Sequence, residues 1–298
     1  MLNYNGQFKL RYDEPYPLLL YVANNWLKHT QKVRYESDLD GLITSLFSAG
    51  LPVQWCLFFR LCHGEDQQSR HALTPLYIMS RLGLYQPMKK LLESGVRMST
   101  REGSHRSAFQ VASLFSFESL GQLLLDRGAD INIKGGCYGS TLQAASLGGD
   151  KLTVQLLLHR GADVNIKGGQ DGTALQADSS FADEIIVQLL LDHGADVNIK
   201  VGQWGSALQA AAITSRESIV QLLLDYGADV NAQGIDADSA LTIASSRNYS
   251  KVVSTSLDHG ANINIVDERW ARTPIQAVLR CRHVETSVML LEYGAILD

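Results

Sequence analysis

Cysteine and proline are scarce, at four and six residues in a chain of 298. Cys56, Cys62, Cys137 and Cys281 form no CxxC pair, which argues against a disulfide scaffold. They are expected to be reduced thiols of an intracellular protein, acting as small buried hydrophobes. Long apolar runs are missing too. Leu18 to Ala23 is only six residues, far short of the roughly 20 that span a membrane. Met1 to Gln7 lacks the basic start and apolar core of a signal peptide. There is no excess of positive charge; the net charge of −5 gives no general reason to expect nucleic acid as a direct partner. HExxH and GxSxG are absent, and no lysine follows a glycine, so no GxxxxGK[ST] loop can cradle a nucleotide triphosphate.

What the chain does have is repetition. Gly-Ala-Asp recurs at Gly128, Gly161, Gly194 and Gly227, 33 residues apart each time, with degenerate copies at Gly95, Gly260 and Gly294. A second phrase, Ser206-Ala207-Leu208-Gln209-Ala210-Ala211, returns at Thr74, Ser107, Ser140, Thr173, Ser239 and Thr273. Two phrases held in register over more than 200 residues imply a repeat solenoid. Such an array points away from a catalytic pocket and toward an extended binding surface.

Within one unit, Ser206 is a natural cap for a first, alanine-rich helix. Ser218 to Leu224 has apolar residues at helical spacing and predicts a second helix, which Gly227 ends. Asp229-Val230-Asn231 begins a hairpin-like return to the next unit. Each pair has too little core to stand alone and must be covered by its neighbours.

The unit resembles the ankyrin repeat in its length, in Thr74-Pro75-Leu76 and Thr273-Pro274-Ile275, in its Leu-Leu helix and in the closing Gly-Ala-Asp. The resemblance implies an all-α solenoid of about seven helix-turn-helix repeats over residues 69–298. These run at about 69–101, 102–134, 135–167, 168–200, 201–233, 234–267 and 268–298. Gln143, Gln176, Gln209 and Gln276 replace the family's usual histidine. With turns such as Gly135-Gly136-Cys137-Tyr138-Gly139-Ser140, this is similar to the fungal style of array.

Residues 1–68 do not repeat. Pro17, then Leu18, Val22 and Trp26 at helical spacing, and the aromatic stretch around Trp55, Phe58 and Phe59 predict a small helical cap on the first repeat. Tyr16 to His29 resembles the segment that joins the nucleotide-binding NACHT module to ankyrin repeats in fungal receptor-like proteins. That likeness implies the ligand-sensing part of a receptor, separated from its catalytic module.

Binding candidates follow from the turns. Tyr138, Trp204 and Trp270 lie on hairpin-like returns, with Asp171 and Asp236 on other returns; exposed aromatics are frequent interface anchors. Lys134, Lys167 and Lys200 share one repeat position and form a column that suits an acidic partner peptide. Asp178 replaces the alanine of other repeats and is expected at a helix edge in water or as a polar ligand facing a partner. His193 and His259 share a position and His159 lies one place earlier. Helix layers about 10 Å apart should keep successive copies from sharing a metal, so these read as helix-terminal residues. In the sixth repeat Thr255 and Ser256 stand where Leu222 and Leu223 do in the fifth, which predicts the least stable interior unit. The expected function is a non-enzymatic, monomeric, intracellular interaction scaffold, cytoplasmic or nuclear. It is expected to use no cofactor, no metal, no membrane and one protein partner; an ankyrin coregulator of transcription is a further alternative.

Overall fold

The computed structural model describes residues 74–96, 107–181, 183–234, 238–267 and 272–297. The expected N-terminal cap, Asp236 and Trp270 lie outside them. Two compact units separate between Arg97 and Met98.

In the first unit, α1 (Pro75–Leu82) and α2 (Tyr85–Glu93) form one helix pair. Thr74 caps α1 by accepting the N–H of Tyr77 at 3.2 Å, and Pro75 occupies the first turn, where its missing N–H is no loss. Leu76, Ile78, Met79 and Met88 are buried.

The second unit holds six further pairs in strict alternation. They are α3 (Ala108–Leu114) with α4 (Glu118–Asp126), α5 (Thr141–Gly148) with α6 (Lys151–His159), and α7 (Ala174–Phe181) with α8 (Glu184–Asp192). Then come α9 (Ala207–Ile213) with α10 (Glu217–Asp225), α11 (Ala240–Ser246) with α12 (Ser250–Asp258), and α13 (Pro274–Cys281) with α14 (Val284–Glu292). First helices stack on first helices and second on second. Small residues allow the close stacking: Ala144, Ala145, Ala177, Ala210 and Ala211 are fully enclosed. The second helices supply the bulk, as in Ile186, Val187 and Leu190 or Ile219, Val220 and Leu223.

Both repeating phrases now have a physical cause. Each Ser or Thr of the second phrase stands at a first-helix N-cap; Ser206 Oγ, for example, accepts the N–H of Gln209 at 3.3 Å. Each Gly-Ala closes a second helix. Gly227 sits at φ 83°, and Ala228 N–H returns to Leu223 O at 2.9 Å, a Schellman closure. Open space surrounds the site of a Cβ at Gly227, so the backbone angle and not crowding demands glycine.

The Asp-x-Asn that follows joins one repeat to the next. Asp196 Oδ1 accepts the N–H of Asn198 at 2.9 Å, fixing the turn. Asn198 Oδ1 then accepts the N–H of Asp229 at 2.8 Å, while its Nδ2 donates to Gly227 O at 3.1 Å. Asn165 and Asn231 do the same one repeat earlier and later.

In the sixth repeat the expected loss of two core leucines is halved. Ser256 is fully buried, its hydroxyl returned to Val252 O at 2.7 Å, in the place of the buried Leu223. Thr255 matches Leu222, which is only half-buried. Cys137 and Cys281 are exposed, contrary to the expectation of buried thiols, because they lie at a hairpin tip and at the last turn of α13.

Candidate interaction surface

Between repeats the chain folds back in tight hairpins, marked by antiparallel bridges from Lys134 to Ser140, Gly168 to Gly172, Val201 to Gly205 and Gln233 to Ser239. Successive hairpins stack backbone on backbone. A Cβ on Gly172 would lie 2.8 Å from Val201 O, and the residue already sits at φ 93°; only glycine fits. The tips are laced together: Gln170 N–H reaches Cys137 O, and Gln203 N–H reaches Gln170 O, each at 2.9 Å.

The glutamine that replaces the family's histidine ties each first helix to the following hairpin. Gln143 Nε2 donates to Gly168 O at 2.8 Å and Gly172 O at 3.0 Å. Gln176 repeats this with Val201 O at 2.7 Å and Gly205 O at 2.8 Å, and Gln209 reaches Asp238 O. These amides add a side-chain tie between each first helix and the hairpin that follows it.

Trp204 is half-buried at its tip and donates Nε1–H to Asp171 Oδ1 at 3.1 Å, which Gln203 also contacts at 2.9 Å. Sequence reasoning placed Asp171 and Trp204 as separate candidates; the structure joins them across one repeat. The ring walls an open pocket of about 210 Å³, with Gln209, Ile213, Ile243 and Arg247 on its other sides. It combines an apolar wall, polar amides and an exposed guanidinium, a composition suited to holding one side chain of a partner. Periodicity alone gave no sign of it, because its lining comes from the hairpins and first helices of two repeats.

Tyr138 is half-buried two tips before Trp204, and Lys134, Lys167 and Lys200 are exposed at the hairpin bases. Asp178 is placed otherwise than expected. It is fully buried in α7, neither at a wet edge nor within reach of a partner, and neither carboxyl oxygen has a hydrogen-bond partner. Val187 N–H faces it but is committed to Asp183 O at 3.0 Å. Burial, reinforced by the nearby Asp183 carboxylate, pushes the Asp178 pKa up to about 8.

The layer spacing of about 10 Å does not hold between the histidine rings. The rings of His159 and His193 lie 6.1 Å apart, because the one-residue stagger turns them toward each other. Both donate Nδ1–H to their own helices, at Gln155 O and Leu189 O, so they act as helix-terminal residues all the same. Among the described residues no three His, Cys, Asp or Glu converge to hold a metal ion. A further ladder on the outer edge was not read from the sequence. The residue closing a second helix contacts the aspartate one repeat earlier: Tyr226 OH donates to Asp192 Oδ1 at 2.7 Å, and Tyr293 OH to Asp258 Oδ1 at 3.1 Å. The Tyr226 bond, with one from Gln188, holds the Asp192 carboxyl below its ordinary pKa.

Residues 141–234 match the family model described as ankyrin repeats, in three copies. The chain carries ankyrin repeats. Its fold is similar to the crystal structure of the human ASB11 ankyrin repeat domain. That likeness has a TM-score of 0.63 at 20% identity, and it covers 76% of this chain and 100% of the other. No curated protein matches this chain. Among the described residues no helix is long and apolar enough to cross a membrane. The ankyrin fold makes the hairpin tips and first helices a continuous edge, and the pocket at Trp204 lies on it.

Proposed function

We propose that this chain is a non-enzymatic, monomeric scaffold acting inside the cell, which holds one protein partner against its hairpin tips and first helices. The pocket between Trp204 and Arg247 carries this reading: it is walled by two repeats and pre-ordered by hydrogen bonds between tips. A pre-ordered surface loses little entropy on binding. Ankyrin repeats are in general protein-interaction modules, which supports the same reading.

The test is a photo-crosslinker placed at position 204, with one at the exposed Leu152 on α6 as control. A partner crosslinked from position 204 alone, and lost from pull-downs with Trp204→Ala, supports the reading. Equal crosslinking from both positions, or equal recovery by the variant, would sink it.

The likeness of residues 16–29 to the NACHT-to-ankyrin segment of fungal receptors supports a second reading, in which the chain is the sensing part of such a receptor. A phosphate-binding loop encoded upstream in the same reading frame would favour that one; a stop codon directly before Met1 would count against it.

A further inference from the structure

The overall charge is −5, yet the hairpin bases of three successive repeats carry uncompensated cations. Lys134, Lys167 and Lys200 are exposed, at identical repeat positions. None forms an ion pair among the described residues. The aspartates just before them are committed elsewhere. Asp130, Asp163 and Asp196 accept the N–H groups of Asn132, Asn165 and Asn198 at 2.9, 3.0 and 2.9 Å. Asp171, on the tip after Lys167, is held by Trp204 and Gln203. No carboxylate of the described residues forms an ion pair with the column.

Its spacing limits what can match it. Stacked helices lie about 8–10 Å apart, which sets the step from one lysine to the next. A polyproline-II chain advances about 3.1 Å per residue with three residues per turn, so every third side chain returns to one edge after about 9 Å. A β-strand also covers about 10 Å in three residues, but it turns the third side chain to the opposite face. An α-helix returns a side chain after seven residues, about 10 Å, but it docks through an apolar face. The tip residues beside the column, Cys137, Gln170 and Gln203, offer no apolar groove for one.

We propose that Lys134, Lys167 and Lys200 bind an acidic, extended polyproline-II segment of the partner protein with a carboxylate at every third residue. This rests on the scaffold reading above and names the chemistry of its partner. Nucleic acid fits less well. A duplex carries a charge about every 1.7 Å of axis, far denser than one lysine per repeat.

The test compares two synthetic proline-rich peptides of equal composition, measured by fluorescence anisotropy. One has three glutamates, each three residues after the last; the other has its three glutamates adjacent. The spaced peptide should bind at least about tenfold tighter at low salt, weaken as salt rises, and lose that advantage with Lys134→Gln/Lys167→Gln/Lys200→Gln. Circular dichroism checks that the variant is folded, which exposed lysines make easy to satisfy. Equal binding of the two peptides overturns the register. Binding unchanged in the triple variant overturns the site. Tighter binding of a single-stranded oligonucleotide than of the spaced peptide replaces the proposal with a nucleic-acid surface. A partner crosslinked from position 204 that is still captured by the triple variant would leave the scaffold standing and remove only the acidic segment.

Discussion

The stretch matched as ankyrin repeats, residues 141–234, differs instructively from the two repeats that follow it. In the matched stretch each first helix sends a glutamine amide to the next hairpin, and the glycines let those hairpins stack. In the sixth repeat Thr242 replaces that glutamine. Its hydroxyl lies 3.0 Å from Ser239 Oγ within its own cap. Leu223 of the fifth repeat has become Ser256. Yet α11 to α14 keep the same pairing and stacking. What both stretches share is the glycine closure of the second helix and the asparagine link: Asn231 Oδ1 accepts Asn262 N–H at 2.7 Å, and Asn264 Oδ1 accepts Ile296 N–H at 3.1 Å. The helix closure and the asparagine ladder are therefore common to both stretches, while the glutamine ties belong to the tips. That division separates the residues that hold the fold from those that prepare a surface.

The matched stretch also contains the largest flaw, and removing it should sharpen the contrast most. Ala145 and Ala211 flank Asp178 in sequence register, and all three positions are buried. The carboxyl is held near pKa 8 when folded and near its ordinary value of 3.8 when unfolded. Between those values the folded chain keeps a proton that the unfolded chain releases. Stability therefore falls as pH rises from about 4 to about 8 and levels off above, a cost on the order of 4 kcal/mol at pH 7. Asp178→Ala should recover most of this and flatten the pH dependence. Urea midpoints of both proteins at pH 5 and pH 8.5 would show it; a wild-type midpoint that does not fall between them would refute the burial argument.

The sequence announced the solenoid plainly, because caps and glycine closures are local and recur with the period. Asp178 shows why the site was harder to read. Its residue type was correctly flagged, but whether an aspartate on a short helix faces water depends on the helices stacked on either side. Trp204 and Asp171 were both singled out, yet their bond spans one repeat and follows from hairpin stacking. The His159–His193 contact escaped because a layer spacing measured between helix axes does not bound the distance between side chains that lean together.

The sixth repeat offers the next test, by breaking the contrast from the other side. Ser256→Leu restores the residue found at the equivalent buried positions, Leu157, Leu190 and Leu223. Burying a leucine side chain contributes about 2 kcal/mol, less whatever repacking costs. Hydrogen exchange should slow in α12 and in the helices packed on it, α10, α11 and α14, with little change in α4. Slower exchange throughout the chain would mean that the array unfolds as one unit and that the sixth repeat is not its weak point.

The smallest effect concerns the shared ladder. Asn198→Ala removes one bond to Asp229 N–H and one to Gly227 O, both at the exposed edge where water can replace them. The expected loss is about 1–2 kcal/mol. Gln176→Ala removes two bonds as well, to Val201 O and Gly205 O, but those bonds hold a hairpin and not a helix closure. If the division drawn above is right, Asn198→Ala lowers the unfolding midpoint and leaves peptide affinity at the lysine column nearly unchanged. Gln176→Ala, which frees the hairpin that follows Lys200, should weaken that affinity by more than its own effect on the midpoint accounts for. The same two-column measurement, midpoint against affinity, reads both variants. Parallel losses in both columns for both variants would mean that stack and surface are one cooperative structure.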